Sequence, residues 1–257
     1  MGRPLAQLSV RVRTLRREPR PSPDSMTLAG HLVELRRRLL VAVGAVAAMS
    51  VIAFVFYPQM LHFLQRPYCE AFPRHCGLFI TDPLGGLSLR FKMAMFGGLI
   101  LASPIVLWEL WRFITPGLKP TEKRYAIPFI VTSIVLFLAG CALAYFTYEH
   151  ALVFLKQIGG PSLVTIYDPN KYLNLILLLM IGFGLTFEFP VILVSLQLAR
   201  VVTSEQLLRH WRWAIFAITV VAAFFTPTGD PVTIVSLMAV LWFFYFASIL
   251  IGKLFRR

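Results

Sequence analysis

Tyr172-Leu-Asn-Leu-Ile-Leu-Leu-Leu-Met-Ile-Gly-Phe-Gly-Leu-Thr-Phe-Glu-Phe-Pro-Val-Ile-Leu-Val-Ser-Leu-Gln-Leu-Ala199 is a run of 28 residues with one charge, Glu188. A helix needs roughly 17–25 mostly apolar residues to cross the hydrocarbon of a bilayer. The run is therefore long enough to span and to tilt. It is continuous and lacks the alternation of a barrel strand. At ~1.5 Å per residue, Glu188 lies roughly 18 Å from Arg200 and roughly 25 Å from Lys171 along such a helix. That places a carboxylate in the hydrocarbon, where it is costly and faces protein or water. Pro190 follows at once, so a kink with a freed backbone carbonyl is expected there. Glu188 reads either as a functional group or as a paired structural carboxylate.

Five more apolar runs flank this one: Leu39–Tyr57, Leu87–Leu107, Tyr125–Tyr148, Trp211–Phe225 and Val232–Ile251. Together they predict an all-α membrane protein with six transmembrane helices. The fifth run has only 15 residues and stops at the helix-breaking Thr226-Pro-Thr-Gly-Asp-Pro231. A span that short requires local thinning of the bilayer or protection by neighbouring helices. The composition agrees: 58% of the 257 residues are apolar and 14% are charged, whereas soluble domains carry about a quarter charged.

The charges orient the spans. Nineteen of the 25 Lys and Arg precede the first run, lie in Trp108–Arg124 and Arg200–Arg212, or follow Ile251. The alternate connections hold five, Arg66, Arg74, Arg90, Lys156 and Lys171, and Lys92 sits at the edge of the second span. Because positive residues stay inside, both termini are expected in the cytoplasm, in a multi-pass protein of the cytoplasmic membrane. The net charge of +13 is then topogenic, and nucleic acid is not an expected partner. Met1–Met26 holds six Arg and four Pro without an apolar period. It reads as a disordered basic cytoplasmic tail ahead of a membrane domain over 27–257. Arg16-Arg17 does not make a cleaved signal, since no apolar segment follows until Leu39 and that segment has no small-residue cleavage site.

Chemistry-bearing motifs are sparse. There is no phosphate-binding loop, His-Glu-x-x-His or Cys-x-x-Cys, so no enzyme, cofactor or metal centre is expected. Cys69 and Cys76, seven apart in an outside loop, are a candidate disulfide; a zinc site fits less well, with only His62 and His75 near and no tight ligand spacing. Cys141 reads as a packing residue. Gly97-Gly98, Gly182 and Gly184 read as helix-contact residues. Glu34 and Arg38 in His31-Leu-Val-Glu-Leu-Arg-Arg-Arg38 are an i,i+4 pair if helical, on what is otherwise an ordinary amphipathic start to a span. Trp108 and Trp111 open the next inside loop at the headgroup level. That loop breaks at Pro116-Gly117, and Glu122 opens a new helix.

Four motifs together resemble the TatC family, the large membrane subunit of the twin-arginine protein translocase. They are His31-Leu-Val-Glu-Leu-Arg-Arg-Arg38, Trp111-Arg-Phe-Ile-Thr-Pro-Gly-Leu118 with Glu122-Lys-Arg124, Phe183-Gly-Leu-Thr-Phe-Glu-Phe-Pro190, and Thr226-Pro-Thr-Gly-Asp230. The likeness runs from about Leu28 to Leu254. The basic tail, the Cys69/Cys76 pair and Glu109 depart from the pattern. The resemblance implies a cupped six-helix arrangement with short fifth and sixth helices. It implies a receptor for twin-arginine signal peptides that helps export folded precursor proteins on the proton-motive force. It also implies work in an oligomer with TatA- and TatB-like single-span subunits. Glu34 and Glu122 then look like the signal-peptide carboxylates, with Arg36 and Phe113 in the same surface. Glu188 resembles an intramembrane polar residue facing the partners, and Pro83 and Asp230 match residues of the outside loops. The rival reading, a proton- or solute-coupled transporter using Glu188 as a relay, lacks a second carboxylate deep in another span.

Overall fold

The computed structural model describes residues 28–73, 76–80, 82–114, 126–160 and 167–255. The expectations for the tail and for Glu122 lie outside them. The described residues form helices α1 (Leu28–Val55), α2 (Tyr57–Ala71), α3 (Gly85–Ile114), α4 (Ala126–Gly159), α5 (Pro169–Thr186), α6 (Phe189–Leu198), α7 (Ser204–Arg209), α8 (Trp211–Phe225) and α9 (Pro231–Phe255).

Five of the apolar stretches are long enough to cross a membrane: Leu32–Val55, Gly85–Phe113, Ile127–Gly159, Pro169–Leu198 and Pro231–Leu254. A shorter apolar helix, Trp211–Phe225, stands where the sequence predicts the remaining span. Its 15 residues rise only ~22 Å, against ~30 Å of hydrocarbon. The last span differs from the short helix that the resemblance implies. It runs 25 residues, because mostly apolar, uncharged sequence continues from Val232 to Ile251 and no proline follows Pro231 before Phe255.

α1 and α3 lie antiparallel. Arg38 reaches Glu109 at one end, and Phe54 meets Phe91 at 5.6 Å at the other. The helices approach closely because Gly98 has no side chain: a Cβ there would sit 2.6 Å from the Ser50 backbone. α1 is otherwise largely exposed, whereas the fourth span is the most enclosed. At the Phe54 end, the Arg90 guanidinium stacks 4.3 Å above the Phe54 ring.

The core lies around α4 and α5. Gly140 lets α4 approach the Phe183 carbonyl, which a Cβ would meet at 2.6 Å, and Gly184 rests against the Phe137 ring. The buried Tyr148 hydroxyl donates to the Tyr172 carbonyl at 3.1 Å, and the Tyr172 hydroxyl donates to the Leu64 carbonyl at 2.7 Å. The second bond ties α2 to α5. Most of α2 falls in a stretch where the apolar pattern predicts only a loop between spans. It is an amphipathic helix that buries Leu64, Pro67 and Tyr68, and a disulfide between Cys69 and Cys76 closes the chain behind it.

The fourth span breaks where Pro190 predicts. α5 stops at Thr186, Phe187 and Glu188 form a turn, and α6 starts at Phe189 with Pro190 in its first turn. Proline has no N–H to donate back along the helix, so continuation costs a hydrogen bond. Buried Gln197 ties α6 to its neighbours. Its amide donates to the Ser248 carbonyl of α9 at 3.1 Å, and it accepts the Ser204 hydroxyl of α7 at 2.8 Å.

Candidate functional site

Charged side chains from two spans meet at one end of the α1–α3 pair. The helical repeat stacks Glu34 over Arg38, as i,i+4 spacing requires. Arg38 Nε donates to Glu34 Oε1 at 2.9 Å, and Nη2 bonds the same oxygen. The opposite corner of the guanidinium, Nη1, donates to Glu109 Oε2 on α3 at 3.1 Å. One arginine thus bridges two carboxylates from two spans. All three side chains are mostly shielded, at 16–19% exposure. Glu34 Oε2 is enclosed and receives no donor among the described residues. A cavity of about 140 Å³ is lined by Glu34, Arg37, Arg38, Val41, Glu109 and Arg112.

Arg36 is exposed on the same helix, and Phe113 is half-buried one turn beyond Glu109. The structure therefore brings Glu34, Arg38 and the α3 end that bears Phe113 together. Glu109 belongs to this cluster. Its sequence signal is a carboxylate at the end of a span, in a loop otherwise rich in cations.

Glu188 sits elsewhere, at the α5–α6 break, and is 6% exposed. The Ser133 hydroxyl of α4 donates to its Oε2, and Trp111 Nε1 of α3 donates to Ser133 Oγ at 2.9 Å. The chain Trp111–Ser133–Glu188 joins three spans and gives one oxygen of a buried carboxylate a partner, while Glu188 Oε1 has none among the described residues. The carboxylate turns into the protein, toward α4.

Asp230 is fully buried and caps α9. Its Oδ2 accepts the Thr233 N–H at 2.7 Å and its Oδ1 accepts the Thr228 hydroxyl at 2.5 Å. Pro83 lies exposed in the turn before α3, where Gly85 N–H donates to the Asp82 carbonyl at 2.9 Å. Among the described residues no group of three or more His, Cys, Asp or Glu is arranged to hold a metal.

Comparison with known proteins supplies the lineage of this arrangement. The family model described as Sec-independent protein translocase protein (TatC) matches residues 30–240. A Sec-independent protein translocase protein TatC from Frankia casuarinae is 36% identical over 254 residues, covering 94% of this chain and 70% of the relative. One from Aquifex aeolicus is 37% identical over 235 residues, covering 90% and 97%. A crystal structure described as twin arginine translocase receptor TatC superposes with a TM-score of 0.71 at 36% identity, covering 88% of this chain and 100% of that one. A second, in the detergent DDM, gives 0.74 at 35% identity over 86% and 99%. A match along most of the sequence, with the helices in the same arrangement, places this chain in the TatC family of Sec-independent, twin-arginine protein translocase proteins.

Proposed function

We propose that this multi-pass membrane protein is the receptor component of a twin-arginine translocase. It takes the arginine pair of a precursor's signal peptide on Glu34 and Glu122, with Arg36 and Phe113 in the same surface. The family is one of translocase components rather than enzymes, and its relatives give no support to the small-solute transporter reading. The observation that carries the receptor reading is the state of Glu34: a guanidinium is already seated on it, at hydrogen-bond distance and largely out of water. A site that holds one arginine this way has the chemistry for another. Arginine offers planar, permanently charged forks that match carboxylates, whereas lysine brings the same charge without the fork.

The surroundings make local pairing the mechanism. Arg37, Arg38 and Arg112 line the cavity beside Glu34, and Lys119, Lys123 and Arg124 flank Glu122 in the sequence, so long-range attraction of a cationic peptide is weak. Exposed ion pairs contribute only ~0–1 kcal/mol; charge-assisted hydrogen bonds contribute roughly 1.5–3 kcal/mol each. The receptor face is cytoplasmic on the charge bias of the loops, where a folded precursor waits before export on the proton-motive force. Single-span TatA- and TatB-like subunits are the partners within an oligomer. Glu188, buried on Ser133, serves that contact by holding the α5–α6 break against α4 beside the apolar groove of Phe129, Pro190, Val194 and Phe244.

The test is crosslinking of a twin-arginine precursor to the protein in membranes without a proton-motive force, which separates binding from transport. Glu34→Ala and Glu122→Ala each weaken crosslinking, the double variant nearly abolishes it, and Glu122→Gln also fails because shape without charge is insufficient. Protein level stays normal. Full crosslinking by the double variant removes these residues from the receptor.

A further inference from the structure

We propose that Arg38 is a built-in competitor for the arginine site, and that Glu109 is the carboxylate that retains Arg38 when an incoming arginine takes Glu34. The inference rests on Glu34 being a receptor carboxylate. In the empty protein Arg38 grips Glu34 with its Nε and Nη2 corner and Glu109 with Nη1. The two grips use different nitrogens, so one can be released while the other holds.

Among the three hydrogen-bonded groups the ion-pair count permits such an exchange, while Arg37 and Arg112 on the cavity wall oppose any long-range pull. Glu34, Glu109 and Arg38 together carry one surplus negative charge, and one added guanidinium completes two ion pairs. Without Glu109, an arginine arriving at Glu34 would strand Arg38 in a shielded site among Arg37 and Arg112, and an unpaired shielded charge is costly. Glu34 Oε2 supplies the starting point. It has no donor among the described residues and the Glu34 side chain lines the cavity, so an incoming N–H that enters the cavity has an unused acceptor to bond before Arg38 lets go of Oε1. The exchange then passes through a carboxylate with one arginine on each oxygen, and at no stage is Glu34 bare. The empty receptor keeps its carboxylate neutralised at the membrane face, and a ligand must outcompete an arginine already in place.

The experiment measures the affinity of a twin-arginine signal peptide, by photocrosslinking titration, for the full-length protein in membranes without a proton-motive force. Arg38→Gln removes the competitor and tightens binding about tenfold, the scale of losing one charge-assisted hydrogen bond to outcompete. Glu109→Gln weakens binding several-fold, and in the Arg38→Gln background it changes binding less than about twofold, because there is no Arg38 left to retain. The Arg38→Gln gain disappears in a Glu34→Ala background; a gain that survives there reflects general relief of positive charge and overturns the competitor. A Glu109→Gln effect that persists without Arg38 makes Glu109 a direct ligand and overturns its retaining role. Should Arg38→Gln fail to accumulate, Arg38→Lys keeps the charge but not the two-carboxylate bridge, and binding no tighter than wild type then overturns the proposal. If Glu34→Ala alone leaves binding unchanged, the receptor reading itself falls; if it weakens binding while Arg38→Gln gives no gain, only the competitor falls.

Discussion

Asp230 illustrates what a single residue shows and conceals. In the sequence it is an acidic residue in a turn shared with a family pattern; in the structure both carboxylate oxygens are committed within four residues, to Thr228 and Thr233. Removing such a cap costs about 0.5–2 kcal/mol, and asparagine caps as well as aspartate. Asp230→Ala therefore lowers the melting temperature of the detergent-solubilised protein by several degrees, Asp230→Asn restores most of it, and neither changes signal-peptide crosslinking. A loss of crosslinking in Asp230→Asn at normal stability would assign the charge a role beyond capping. Glu188 is legible in the sequence as a costly intramembrane carboxylate, but its partner is not: Ser133 lies 55 residues away, beyond any local pattern. Glu109 is opaque for the same reason. Its meaning depends on Arg38, 71 residues distant.

At the scale of the element, apolar length and helix breakers carry most of the information. The short α8, the stop at Thr226 and the break at Pro190 all follow from sequence. The amphipathic α2 does not, because Gln65, Arg66 and Glu70 interrupt its apolar residues. Its place is decided by Tyr145 and Tyr172 reaching in from other helices. Glycines separate by context in the same way. Gly98 of α3 has no room for a Cβ, whereas Gly44 of α1 has nothing within 4 Å. Gly98→Leu therefore forces α1 from α3 at a cost of ~1–3 kcal/mol or more. Because the Arg38–Glu109 bond spans that contact, precursor crosslinking falls with stability. Gly44→Leu on the open face is expected to leave both the melting temperature and crosslinking near wild type; equal damage by the two substitutions would mean that the close approach is not what orders the receptor end.

For the whole molecule the decisive quantity is the distribution of charge about six spans. A reporter fused after Arg257 is expected to read cytoplasmic and one placed near Gly160 extracytoplasmic, since 19 of the 25 cations fall in the two terminal segments and the alternate loops that six spans would put with them. Inverted readings at both positions would overturn the orientation, and with it the placement of Glu34 on the side where precursors arrive. The spans are packed so that α1, largely exposed, rests mainly against α3. The end that bears Glu34, Arg38 and Glu109 therefore hangs on one helix–helix contact rather than on the α4–α5 core.

The sequence alone determined that the chain is helical and which stretches are long and apolar enough to cross a membrane, because apolar length acts locally and adds along the chain. Its four motifs also determined the family. Only the tertiary structure decided which polar groups meet. The seat of Arg38 between Glu34 and Glu109, the chain from Trp111 through Ser133 to Glu188, and the tie from Gln197 to Ser248 each join residues remote in sequence. A hydrogen bond depends on positions to within a few tenths of an ångström, and that is fixed by how glycines such as Gly98 and Gly140 let the helices close.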